Sequence, residues 1–362
     1  MAFELPKVTL TLREAPSRLR TFLGPILAFG IAMLLGGLLV ALMGKSPWQA
    51  LDVYFIHPLL DSYNLQALAL KASPLVLMAI GLSYCYRANL WNIGAEGQFV
   101  IGGTCAGAIA IFTHGAPDNT LWILPAMLLA GVMGGMVTAL IPAILKVSLG
   151  VSEILTSLML VYVSQLTLDY LVRGPWRDPK GFNFPVTVTF DPAATLPPLF
   201  DGARVHVGVL LTLAIVIIAA IMQGRSLFNF AVRLLGLAPR AARFAGFSEA
   251  RITLIVFALS GGLAGLAGFM EVSGQINQLQ PSISPGYGFT AIIVAFLGRL
   301  SPVGILVAGF VLSLTYIGGE AAQISMQLPL DMTQTFQGLL LFCILSADIL
   351  TRYDVSLAKA RT

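Results

Sequence analysis

The chain has 362 residues, 57% of them apolar and 10% charged, with a mean hydropathy of +0.86. Soluble domains carry about 25% charged residues, so an ordinary soluble enzyme or binding module is excluded and a polytopic membrane protein is the reading. The net charge of +4 and pI near 9.0 require no nucleic-acid partner, because the inner-face loops of membrane proteins are basic in any case.

Residues 1–20 read as a cytoplasmic N-terminal segment. They are basic but hold no apolar core followed by a cleavage site, so no cleaved signal peptide is expected. The amphipathic pattern of Val8 to Leu19 suits a segment lying at the membrane interface. A helix needs about 20 apolar residues to cross the hydrocarbon core. Ten stretches qualify: 21–43, 66–87, 96–113, 119–145, 153–172, 205–223, 252–271, 286–299, 302–320 and 334–350. The eighth is short, as a broken or re-entrant helix is. The expected fold class is all-α, a polytopic transmembrane helical bundle over residues 21–350, with a cytoplasmic tail at 351–362. Of the 21 Lys and Arg residues, fifteen fall on the side of the N terminus. Five fall on the other: Lys45, Arg173, Arg177, Lys180 and Arg204. Lys71 lies near the outer end of the second span, placed to snorkel. Positive charge concentrates on the inner face, so both termini are expected in the cytoplasm.

Taken in order, Gly44-Lys45-Ser46 invites a phosphate-loop reading, but Leu39 stands where the first glycine belongs and a span precedes it instead of a strand. Arg87 to Gln98, RANLWNIGAEGQ, joins the second and third spans. Asn92, Glu96 and Gln98 make it dense in polarity for the membrane edge, and they are candidates for a solute path. The same residues also read as an inner loop, with Asn92 capping the third span and Glu96 near its positive end. Gly103 and Gly107, Gly131 and Gly135, and Gly261 and Gly265 each have the spacing that lets helix backbones approach closely in lipid. Gly150 to Leu160, GVSEILTSLML, sets Glu153 at the start of the fifth span, as a solute contact or as first-turn dipole compensation. Residues 173–204 form the longest external segment. Its prolines and glycines argue against helix, and VTVTF suits a short strand or edge. The segment is either a cap that meets an external partner or a plain connector.

Residues 224–251 form a basic island between two spans, with Arg225, Arg233, Arg240, Arg243 and Arg251 against Glu249. Pro239 can open a helix and Gly246 can stop it, which predicts a short helix over Pro239 to Ala245. Ala241, Ala242 and Ala245 make a small apolar face beside Arg240 and Arg243. Such a helix is marginal alone. It either docks on a partner or belongs to a loop that only sets topology. After the seventh span, Glu271, Gln275, Asn277 and Gln278 lead into Ser284 to Leu300, SPGYGFTAIIVAFLGRL. Gly286 to Ala291 matches a relaxed dinucleotide fingerprint, rejected because no strand precedes it. Tyr287 and Phe289 suit stacking on a flat ring, or an aromatic anchor. NIGAEGQ follows span two on the inside and SPGYGF follows span seven on the outside. Two inverted five-helix halves would produce that placement.

Cys85, Cys105 and Cys343 sit in or beside apolar runs and read as small buried hydrophobes. His57, His114 and His206 are scattered, so neither a metal site nor a catalytic constellation is expected. Few charges lie deep in the spans, which argues against a pump built on buried carboxylates. A secondary carrier and a lipid-modifying membrane enzyme are the rival classes. The second lacks a reactive cluster.

GLAPRAARFAGF, Gly236 to Phe247, resembles the cytoplasmic coupling loop of permease subunits in ABC importers for simple sugars, branched-chain amino acids and nucleosides. NIGAEGQ is similar to the signature of the nucleoside branch. In GVSEILTSLML, Ser152 stands where the family usually has Asn. The resemblance implies a transport subunit in a bacterial inner membrane, without a cofactor of its own. It implies partner ATPase subunits that carry ATP and Mg, a second permease subunit, related or identical, and an external substrate-binding lipoprotein. It assigns Gly236, Leu237, Pro239, Arg240, Ala241, Ala242, Arg243, Phe244, Ala245 and Gly246 to ATPase coupling. The expected solute path comprises Asn92, Glu96, Gln98, Glu153, Gln275, Asn277, Tyr287 and Phe289.

Overall fold

A computed structural model of the chain describes residues 7–12, 18–117, 120–329 and 331–358. A strand, β1 (Lys7–Leu12), precedes α1 (Arg18–Leu42). Then come α2 (Pro47–Leu51), a π-helical turn at Asp52–Ile56, α3 (His57–Leu60), α4 (Ser62–Arg87), α5 (Ala95–Phe112), α6 (Ile123–Leu149) and α7 (Glu153–Arg173). The second part holds α8 (Gly208–Arg225), α9 (Leu227–Leu237), α10 (Pro239–Phe244), α11 (Glu249–Glu271) and a second π-helical turn at Val272–Ile276. It closes with α12 (Tyr287–Leu297), α13 (Pro302–Met326), α14 (Asp331–Arg352) and β2 (Tyr353–Ala358). Each of the ten expected spans has its helix. Among the described residues, seven are long and apolar enough to cross a membrane, and α12, with 11 residues, is the short eighth. The sixth begins at Gly208 rather than 205, which leaves His206 ahead of the helix.

The pattern missed several short elements. The α2–α3 stretch is built of pieces of four and five residues, too short to carry a period. The α9 helix, capped by Ser226, whose Oγ accepts from the Asn229 amide at 3.1 Å, hides inside the basic island. At the N terminus, Lys7–Leu12, which overlaps the amphipathic stretch Val8 to Leu19, is a strand. It pairs antiparallel with β2, Lys7 opposite Ala358 and Leu12 opposite Tyr353. The remainder of Val8 to Leu19 between 13 and 17 lies outside the described residues, as do residues 1–6 and 359–362.

The chain forms two compact units, residues 60–314 and residues 1–59 with 315–362. In the smaller, α1 packs on α14. Val40, Ala50, Tyr54, Ala322, Met326 and Leu328 make its apolar core. The Tyr54 hydroxyl meets Thr333 Oγ1 at 3.1 Å, so this buried phenol has a partner.

In the larger unit α11 is the hub, packed on α4, α5 and α6. Two of the three expected glycine pairs face one another. A β-carbon at Gly261 or Gly265 would overlap the carbonyl of Gly135 or Gly131, and one at Gly135 would meet Gly265 Cα at 2.7 Å. With no hydrophobic force between helices in lipid, backbone contact of this kind supplies the attraction. The α4 and α11 helices are mostly buried, whereas α7 and α8 expose most of their apolar side chains, among them Leu155, Met159, Ile217 and Ile221. Those two helices form the rim.

The segment 173–204, expected outside, forms no strand at VTVTF. It runs extended along residues 273–279 through single hydrogen bonds, Thr187 N to Leu279 O at 3.0 Å, Phe190 N to Asn277 O at 2.8 Å and Leu196 N to Ser273 O at 2.8 Å. Asn277, whose left-handed φ of 56° ends the π-helical turn, exposes that carbonyl to Phe190.

Candidate functional site

NIGAEGQ folds into a closed knot. Asn92 Nδ2 donates to Gln98 Oε1 at 3.0 Å and to Ser260 Oγ at 3.1 Å, and Asn92 Oδ1 accepts from Gln98 Nε2 and Gly94 N, both at 3.0 Å. All four amide positions of Asn92 are used. Asn92 and Gln98 are fully buried, so they tie the second span's exit to α11. Asn92 is not the cap of α5. Gly94 occupies that position, two residues on, and Asn92 forms a turn ahead of it. The Ile93 amide is held by Ser157 Oγ at 3.2 Å, and Trp91 stacks with Tyr86 and Phe296. Glu153, at the start of α7, accepts from Lys146 Nζ at 2.7 Å and from the Trp91 amide at 3.4 Å. Its carboxylate thus joins α6, α7 and the loop at one end of the unit.

Glu96 has a different setting. Its Oε2 accepts from Gly288 N at 2.6 Å, and it hydrogen-bonds with Ser284 and the Gly286 backbone. Ser284 Oγ in turn accepts from the amides of Gly286 and Tyr287, at 3.1 and 3.0 Å. The first turn of α12 therefore binds the carboxylate from α5 through the Gly288 amide, which suits the partial positive charge of a helix N-terminus. Gly288 allows this, since a β-carbon there would overlap the Glu96 backbone. The other edge of Glu96 borders an open cleft of about 390 Å³, lined also by Tyr162, Gln165, Asp169, Ser282 and Ser284. Tyr162, Gln165 and Asp169 lie three and four residues apart, which puts them on one face of α7. That polar stripe in an apolar span was the available signal for the cleft, and the sequence reading passed over it.

A second polar group joins α4, α11 and α12. Lys71 Nζ donates to Tyr287 Oη at 2.8 Å and lies 5.5 Å from the ring centroid, so Lys71 points inward rather than snorkelling. The Tyr287 hydroxyl also bonds Glu271, whose Oε2 accepts from Gln275 Nε2 at 2.6 Å. Tyr287 is fully buried and meets Phe99 edge to face at 5.9 Å. Its ring offers no open face for stacking, which Phe289, 41% exposed, does. Asn277 sits at the turn before this group, its Oδ1 buried without a hydrogen-bond partner.

The basic island forms two short helices. Pro239 opens α10 as expected, and Gly246, at φ 83°, ends it. Pro239, Arg240, Ala241, Arg243, Phe244, Ala245 and Gly246 are exposed. Phe244, at 94%, and Leu237, at 80%, are the large apolar side chains on this knob. Ala242 departs from the expected apolar face. It is completely buried and its carbonyl accepts from Phe247 N at 3.0 Å, so it anchors the turn while Phe244 projects. Arg243 Nη2 reaches Glu249 Oε2 at 3.2 Å. Gly236 is half-buried against the loop after α4, where a β-carbon would overlap the Arg87 carbonyl.

Residues 64–345 match the family model described as branched-chain amino acid transport system / permease component. The glucose ABC transporter permease protein TsgB13 of Haloferax volcanii is 34% identical, covering 93% of this chain and 90% of that one. The nucleoside ABC transporter permease protein NupB of Lactococcus lactis is 26% identical over 83% and 85%. The guanosine ABC transporter permease protein NupP of Bacillus subtilis is 25% identical over 91% and 94%. With this fold, and with the model matching most of its length, the chain belongs to the branched-chain amino acid transport system permease family and is a membrane-spanning ABC transporter permease.

Proposed function

We propose that this permease imports a neutral, hydroxyl-rich solute, in the first place a nucleoside, and that the Glu96 cleft is part of its path. The observation that carries the reading is the cleft's lining. Two carboxylates, an amide, a phenol and two serines line a space of about 390 Å³, with Asp169 Oδ1 paired to Arg173 Nε at 2.7 Å. Carboxylates accept hydrogen bonds only, which suits vicinal hydroxyls of a sugar ring and disfavours an anion. Phe289 adds an exposed ring nearby in sequence for stacking on a base. The NIGAEGQ signature and the two relatives named for nucleosides support the nucleoside reading. The greater identity to a permease named for glucose favours a second reading, a simple sugar, which would use the same acceptors.

Both termini and the α9–α10 loop lie in the cytoplasm in this account, where Arg240, Arg243, Ala241 and Phe244 dock on an ATPase subunit. That subunit carries ATP and Mg. A second permease, related or identical, completes the path, and an external lipoprotein delivers solute. Uptake proceeds by alternating access, with the ATPase dimer moving the knob.

The test is competition for uptake of radiolabelled guanosine by cells that depend on this permease. Unlabelled nucleosides should compete and glucose should not. Competition by glucose alone would replace the first reading by the second. Competition by a branched-chain amino acid alone would remove both.

A further inference from the structure

We infer that Arg87 is the positioning residue that transmits movement of the cytoplasmic α9–α10 loop to α12, and through α12 to the Glu96 cleft; the inference rests on the coupling role proposed above.

Arg87 is the last residue of α4. Its guanidinium forks between two elements. Nη1 donates to Asn229 Oδ1 on α9 at 3.2 Å, and Nη2 donates to the Leu300 carbonyl, between α12 and α13, at 2.8 Å. Gln223, near the end of α8, closes the ring. Its Nε2 donates to the same Leu300 carbonyl at 3.4 Å, and its backbone carbonyl accepts from Asn229 Nδ2 at 2.7 Å. Gly236, at the end of α9, lies on the Arg87 carbonyl. The first helix of the cytoplasmic loop therefore touches Arg87 from both its side chain and its backbone.

The Leu300 end of this ring is a costly turn. Arg299 and Leu300 both take left-handed φ values, 55° and 56°, which L residues adopt only when their surroundings compel it. Leu300 N is tied back to Ala295 O at 2.8 Å, so the turn moves with α12. Tyr86, next to Arg87, stacks on Phe296 of α12 with centroids 5.0 Å apart. With 11 residues, α12 is about 16 Å long. Its far end holds the Gly288 amide that binds Glu96, and Tyr287 with Lys71. A displacement of α9 thus reaches the cleft through one rod, provided the fork stays closed. A lysine cannot reproduce this, because an ammonium group lacks the planar fork that serves two separated acceptors.

The test uses the permease isolated with its native ATPase and reconstituted in liposomes. One spin label is placed through Leu227→Cys, exposed at the start of α9, and one, in a separate preparation, through Ile292→Cys, half-buried on α12. Without further change, ATP should alter the spectra at both positions. With Arg87→Gln, the α9 label should still respond, the α12 response should vanish, and uptake per ATP hydrolysed should fall about tenfold. Asn229→Ala opens one arm only and should give the same separation at smaller size. Arg87→Lys should behave like Arg87→Gln. A merely structural arginine would lower the responses at both labels together, and that outcome, or an α12 label that still responds in both Arg87→Gln and Asn229→Ala, overturns the inference. A silent α9 label before any Arg87 change would instead overturn the coupling role, and the inference with it.

Discussion

Asn92 uses both amide hydrogens and both lone pairs of its carbonyl on Gln98, Ser260 and Gly94. In a dry interior each lost partner strands a polar group, at about 1–3 kcal/mol apiece. Asn92→Leu should therefore destabilise the detergent-solubilised protein by on the order of 3 kcal/mol, seen as a lower thermal midpoint. An unchanged midpoint would mean the knot is dispensable. The density of polar residues in NIGAEGQ was legible in the sequence. Their partners were not, since Ser260 is 168 positions from Asn92 and nothing local to either residue announces the other. For the same reason Asn92 and Gln98 look like path residues in the sequence and lie in a closed cluster in the fold. Glu96, four positions from Asn92, borders the cleft.

His206 offers a test by pH. It is 3% exposed, just ahead of α8, and burial pulls its pKa from the ordinary 6.5 down to about 4. Its Nδ1 accepts from Gly208 N at 3.2 Å, which requires a neutral ring with the proton on Nε2. Between pH 6.5 and 4 the unfolded chain takes up a proton that the folded chain refuses. Stability present above pH 6.5 is therefore lost as pH falls through that window, and the loss levels off below about 4. The full contribution is about 3 kcal/mol. A melting series in detergent should show this slope, and His206→Gln should flatten it. Equal slopes in both proteins would assign the acid sensitivity to other groups.

At the scale of elements, the α6–α11 contact decides most. The G-x-x-x-G spacing told which helix faces would be smooth, and it could not tell which smooth face meets which. Gly131 and Gly135 meet Gly261 and Gly265, while Gly103 and Gly107 lie against Ile283 and Leu279. The consequence is a contrast within one helix. At Gly265 a β-carbon collides with the Gly131 carbonyl, whereas at Gly262 it would touch Met136 and Val132 side chains at an ordinary 3.5 Å. Gly265→Ala should destabilise by about 1–3 kcal/mol. Gly262→Ala should cost nothing measurable, aided by alanine's higher helix propensity. Similar melting points for the two variants would contradict the packing described. The short α12 was legible because its apolar run is short, whereas α9 was not. The α9 helix is amphipathic, with Ala231, Val232 and Leu235 buried and Leu227, Phe230 and Arg233 exposed, and a search for long apolar runs passes over it.

At the scale of the molecule, the pairing within residues 60–314 is reciprocal. The seventh-span helix α11 packs on α5 and α6, from the third and fourth spans. The second-span helix α4 packs on α12 and, through Val76 against Gly309, on α13, from the eighth and ninth. The placement of two loops in the sequence predicts a five-span repeat related by inversion, and superposing the two halves after inversion tests it. The proposed transport function joins the polar cleft to the basic knob.

The most direct measurement is the number of solute molecules taken up per ATP hydrolysed when the permease and its native ATPase are reconstituted together. It should be compared between the unsubstituted chain and one carrying Arg243→Glu with Phe244→Glu. Both side chains are exposed on α10, so insertion and folding should be unaffected. The account predicts that uptake falls by at least about tenfold, with ATP hydrolysis either lost from the complex or running without transport. Undiminished uptake with the two substitutions in place would contradict it.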